Sequence, residues 1–200
     1  MKFSESLQKI LPFGYLFLVV MGILKESVFY YQIGINILKY STIMDILISP
    51  IATLTAHPII LIALILVIVF AYALPTFLSK QSHKSWVQKI SGIKSKDEVS
   101  SEELSENLTN LFIKYLTIGL LAFFLGIGIG EGIGLSKKIK SNNLVYKHKL
   151  NYSSGDSEQV YLINTNSVYY FYLAKGNKAI KIAPIGAIKS IELTDNKMLK

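Results

Sequence analysis

The run IILIALILVIVFAYALPTFL, from Ile59 to Leu78, holds twenty residues without a charge. At a helical rise of about 1.5 Å per residue, such a run crosses a hydrocarbon core of about 30 Å. A transmembrane helix is what it admits, because backbone polar groups in lipid must be satisfied within the segment itself. Pro58 stands at its entrance, where a missing N–H is harmless. Pro75, near its exit beside the interfacial Tyr72, is expected to kink or end it.

The rest of the composition points the same way. Hydrophobic residues make up 51% of the 200, charged residues 17%, and the mean hydropathy is +0.42, outside the balance of soluble domains. All 21 basic residues are lysine. Without the planar fork of arginine, bidentate reading of base edges lacks its usual carrier, and no specific nucleic-acid partner is expected. With no cysteine, a disulfide framework, a thiolate metal site and a thiol nucleophile are excluded.

The first apolar run, ILPFGYLFLVVMGIL, covers Ile10 to Leu24 and is short for a span. Lys2 and Lys9 before it give it the outline of a signal peptide, but the KESVFYY that follows has no small-residue cleavage pattern. An uncleaved anchor is expected, lengthened to Tyr30 if Lys25 and Glu26 pair or snorkel. Tyr30, Tyr31 and Tyr40 then suggest an aromatic belt. Ile43, Ile46, Leu47, Ile51 and Leu54 recur at helical spacing, interrupted by Asp45 and Pro50. This reads as an interfacial or re-entrant segment, with a fourth span as the alternative.

Beyond Leu78 the chain turns basic, with Lys80, Lys84, Lys89, Lys94 and Lys96 and no acid among them. Trp86 aligns with Ile90 and Ile93 at helical spacing, the pattern of a helix lying on anionic lipid; a solvated linker is the alternative. Then the sign reverses. Ser100 precedes Glu103 by three residues, a capping-box spacing, and Glu102, Glu103 and Glu106 suit the start of a helix. The stripe Leu104, Leu108, Leu111 and Tyr115 predicts one helix running unbroken into a third span, roughly Leu111 to Leu135.

That span ends in GIGIGEGIGL, Gly126 to Leu135. The glycine spacing fits neither a dinucleotide fingerprint nor a P-loop. On a helix, Gly126, Gly130 and Gly134 fall on one face and Gly128 and Gly132 form a second row. Small residues at that spacing let helix backbones approach closely in lipid; fraying of the helix end is the competing reading. Glu131 is the candidate ion or proton site if it lies deep in the span, and an end anchor near Lys137 and Lys138 if it reaches the far interface.

From Ser141 the period changes to that of strands. NLVYKHKLNY, QVYLIN, SVYYFYLAK, KAIKIAP and AIKSIEL are β-branched or aromatic runs separated by turn signals. An antiparallel meander or small barrel is expected. A two-residue loop at Gly176 and Asn177 would set Leu173 opposite Ile180 and Phe171 opposite Ile182, with Tyr169 on the same face. Tyr170, Tyr172 and Lys181 would then form the other face, a candidate surface for a protein partner or lipid headgroups, unless the rings are covered inside a barrel. So small a module has a marginal core and is expected to lean on the membrane, a sister subunit or a partner.

His57, His83 and His148 lie far apart and no nucleophile elbow occurs, so no catalytic residue, metal or cofactor is expected. The sequence thus predicts an integral membrane α-helical protein with about three transmembrane helices and a small C-terminal antiparallel all-β module. Its expected parts are residues 1–78 (two spans and the interfacial segment), 79–100 (the charged loop), 101–140 (the glycine-rich helix) and 141–200 (the β module). The expected role is that of a non-enzymatic anchor or sensing component, homo-oligomeric through the third helix. The alternative is a homo-oligomeric channel or pore lined by the glycine face. Lysine counts on the two sides tie, and the first helix breaks the tie in favour of a cytoplasmic amino terminus and a β module outside the cell membrane.

Overall fold

The computed structural model of the chain describes residues 2–81, 87 and 101–194. Trp86, the lysines beyond Lys80 in the basic stretch and the cap residue Ser100 lie outside them. Three of the four described helices are long and apolar enough to cross a membrane.

Helix α1 spans Lys2–Tyr31. It passes through Lys25 and Glu26 because the two side chains pair, Nζ to Oε1 at 2.8 Å, so that neither charge is left alone in an apolar helix. Helix α2, Ile43–Ala56, opens on a reciprocal cap. The Asp45 N–H donates to Thr42 Oγ1 at 3.1 Å and the Thr42 N–H donates to Asp45 Oδ2 at 2.8 Å. Pro50 lies inside this helix. Helix α3, Pro58–Ser79, begins on Pro58 as expected; Pro75 does not end it, and the helix runs on to Ser79. Helix α4, Ser101–Lys140, continues without a break for 40 residues, about 60 Å and so about twice the thickness of a hydrocarbon core.

The chain divides into two compact units, residues 1–50 with 125–200, and residues 51–124. In the second, Leu74 and Leu78 of α3 pack with Leu108 and Phe112 of α4 around Val87. Beside them lies an apolar groove of about 610 Å³, lined by residues such as Ile59, Ala63 and Val67 on α3 and Leu116, Gly119 and Phe123 on α4.

The first unit contains five strands, β1 (His148–Tyr152), β2 (Ser157–Thr165), β3 (Tyr169–Ala174), β4 (Ile180–Pro184) and β5 (Ile188–Leu193). Strands β1 to β4 form the expected meander, but β5 returns to pair antiparallel with β1, giving the order β4-β3-β2-β1-β5. Only the 3-10 turn Ile185–Ala187 joins the two edge strands. Four Cα steps reach about 15 Å at most, whereas the outer strands of a flat five-stranded sheet lie about 19 Å apart. The sheet must therefore coil. Strand β2 supplies the bend: its first half, Ser157–Val160, pairs with β1, and its second half, from Val160 to Thr165, pairs with β3, with a bulge between Leu162 and Asn164.

The hairpin register is the one expected. Leu173 faces Ile180 and Phe171 faces Ile182, and Gly176 takes the positive φ of +80° that the turn needs. One face of this hairpin, with Phe171 fully buried, packs on Tyr30, Ile37 and Tyr40. The other is not an open surface. Tyr172 is 2% exposed and packs with Leu150 and Val160 in a second core. Coiling the sheet turns this face inward, so the rings are covered, as the barrel alternative anticipated.

Candidate functional site at the glycine helix

Helix α1 uses the second glycine row of α4. At Gly128 a Cβ would collide with the Lys25 carbonyl, and at Gly132 it would lie 2.7 Å from Phe29 O and 2.8 Å from Gln32 Cγ. Advancing four residues on α4 advances four on α1, so the two helices run parallel here with their backbones in near contact. Gly22 plays the same part for α2, since a Cβ there would meet the Ile46 carbonyl. Glycine is required at these three positions by space, not by backbone conformation.

The row singled out by spacing, Gly126, Gly130 and Gly134, is different. A Cβ at any of the three would meet nothing within 4 Å. Residues 126 and 128 are about 200° apart around a helix, so this open row faces away from α1. Glu131 is exposed, in the turn of α4 level with the last turn of α1.

Between α1 and α2 lies a polar cluster. Lys25 Nζ donates to Glu26 Oε1 at 2.8 Å and to Ser49 Oγ at 3.1 Å, and the Ser49 hydroxyl donates to the same Glu26 oxygen. Both charged residues are buried. A second polar cluster ties α2 to the sheet. Asp45 Oδ1 accepts the Ser167 N–H at 2.9 Å and Oδ2 accepts the Ser167 hydroxyl at 3.0 Å, while Asn166 Nδ2 donates to the Tyr40 carbonyl at 2.8 Å. Partial burial acts to raise the Asp45 carboxyl, but the hydrogen bonds from Thr42 and Ser167 outweigh it and hold the group below its ordinary value.

The third cluster is inside the sheet. Lys181 Nζ donates to both Glu158 oxygens at 2.8 and 2.9 Å, and the Tyr152 hydroxyl bonds Glu158 Oε2 and the Tyr172 hydroxyl, each at 2.8 Å. Hydrogen bonds from Lys181 and Tyr152 pull the Glu158 carboxyl down, and the bond to Glu158 pushes the Lys181 ammonium up. Burial, followed by these same partners, raises the Tyr152 phenol. Lys181 and Tyr172 are thus engaged within the sheet, and Tyr170 is half-buried beside them.

Sequence reasoning marked the glycines and the Lys25–Glu26 pairing but missed Gly22, Ser49, Glu158 and Ser167, whose partners lie far along the chain. Asp45 was visible only as an interruption of an apolar pattern. Among the described residues no group of three His, Asp or Glu could hold a metal ion. Comparison of the chain with protein-family models, curated proteins and solved structures finds no match. The class defined by the fold is therefore a coarse one: a chain with three helices able by length and composition to span a membrane, carrying an antiparallel five-stranded sheet.

Proposed function

We propose that this is a non-enzymatic multi-pass protein of the cell membrane that oligomerises through α4 and presents its sheet outside the bilayer as an anchor or sensing component. The observation that carries the reading is the two-sided glycine helix. On one face, Gly128 and Gly132 are occupied by the backbone of α1. On the other, Gly126, Gly130 and Gly134 repeat the same spacing with open space in front of them. Close backbone approach is what such rows permit in lipid, and a second copy of α4 is the partner this reading assigns to the open row. The partner surface of the sheet is correspondingly its outer side, since Tyr172 and Lys181 are engaged inside.

Gly130→Leu tests this. Leucine is well tolerated by lipid, so membrane insertion should persist while crosslinked oligomers disappear. Oligomers unchanged in Gly130→Leu would refute the role given to the open row. Exposed Glu131, which flanks that row, carries the second reading, a pore. Glu131→Gln keeps shape and removes charge; it should leave an anchor unaffected and change the ion preference or conductance of a channel.

A further inference from the structure

Helix α2 is fastened along one side and bare along the other. Ile46 and Pro50 are buried, with the Ile46 backbone against Gly22 and Ser49 bonded to Lys25 and Glu26. Ile43, Met44 and Ile48 are 65%, 57% and 50% exposed, and Ile51 continues their stripe. Its first turn is lashed to the sheet through Asp45 and Ser167, the only charge of the helix being spent on that joint.

Chain connectivity fixes where such a helix can lie. Its start is bound to a polar sheet that belongs in water, so it begins at a membrane surface. Its end, Ala56, is one residue from α3, whose apolar run must also begin at a surface. Fourteen residues reach only about 21 Å and cannot connect opposite surfaces about 30 Å apart. Both ends therefore share one surface.

We propose that α2 is a strap lying in the plane of the membrane, that its partner is the headgroup–acyl boundary of the bilayer, and that it transmits the state of that boundary to the sheet through the Asp45–Ser167 joint. The proposal rests on reading α1, α3 and α4 as spans. Apolar residues of an in-plane helix sink about 5–10 Å into that boundary, and Ile43, Met44, Ile48 and Ile51 supply such a face. The paired Lys25 and Glu26, one turn beyond Gly22 on α1, then sit at headgroup depth, where a charged pair is tolerated.

Because the chain has no cysteine, single spin labels can be placed without background. In the full protein reconstituted in phosphatidylcholine–phosphatidylglycerol vesicles, labels at Met44, Ile48 and Ile51 should report one shallow depth. A helix directed along the membrane normal would instead spread Met44 and Ile51 over about 10 Å, and that gradient would overturn the strap. Labels at Ile62, Leu66 and Val69 on α3 check the spans separately: a steep gradient there is expected, and its absence would overturn the span reading on which the strap rests. For the coupling, a label at Val168 should change mobility when long-chain lipids are exchanged for short-chain ones. That response should be lost in Asp45→Ala and reduced in Ser167→Ala, which spares the backbone bond, while the depth at Met44 stays the same. A Val168 label indifferent to lipid in the otherwise native protein, or equally responsive in Asp45→Ala, would refute the joint.

Discussion

A methyl group decides the α1–α4 contact. Gly128→Ala and Gly132→Ala place a Cβ against α1 backbone or the Gln32 stem, and overpacking of this kind costs about 1–3 kcal/mol. Gly126→Ala and Gly130→Ala meet nothing and should be neutral for the single chain, or gain up to about 1 kcal/mol from helix propensity. Thermal unfolding in detergent, where oligomers are dissociated, measures the difference; equal effects in the two rows would contradict the packing. The Glu158–Lys181 pair has a pH signature. A carboxyl lowered in the fold contributes stability above its unfolded value and loses it as pH falls through the folded one; a raised lysine contributes below its unfolded value and loses it as pH rises through the folded one. Denaturant midpoints of the sheet should therefore be level through neutral pH, fall below about pH 4 and fall again above about pH 10. Lys181→Met should flatten the acid limb, by no more than about 1 kcal/mol because the pair is partly exposed.

At the scale of elements, the β3–β4 hairpin joins two cores. Phe171 is fully buried against Tyr30 and Tyr40 on one side of it, and Tyr172 lies in the sheet interior on the other. Phe171→Ala should cost about 3–5 kcal/mol. By hydrogen exchange it should loosen the last turn of α1 together with β3. Tyr172→Ala should destabilise the sheet by a similar amount yet leave the end of α1 protected, because its contacts are β1 and β2. Equal loss of α1 protection in both variants would mean that the two faces are not separate. The hairpin register itself was legible, since Gly176 and Asn177 fix the turn and a period of two fixes everything outward from it. The inward turn of the tyrosine face was not, because it depends on β5 returning to β1, a pairing made 39 or more residues apart in sequence.

For the whole molecule, the parallel run of α1 and α4 puts the amino terminus and the sheet at opposite ends of those helices. Reporters fused before Met1 and after Lys200 should consequently give opposite readings, with the carboxyl-terminal one inactive if it requires cytoplasm. Matching readings would exclude an odd number of crossings. The sequence by itself determined the classes of segment: a charge-free run of twenty residues must be a span, an unbroken stripe must be one long helix, and a period of two with turn residues must be strands. These are decided within a dozen neighbouring residues, by backbone satisfaction in lipid and by side-chain periodicity. Tertiary structure alone decided which glycine row meets α1, that Glu26 shares Ser49 with Lys25, that Asp45 holds the β2–β3 turn and that Lys181 turns inward to Glu158. Each of those depends on distance in space between residues remote in sequence. Two glycine rows of the same composition on opposite faces of one helix are indistinguishable until something packs against one of them.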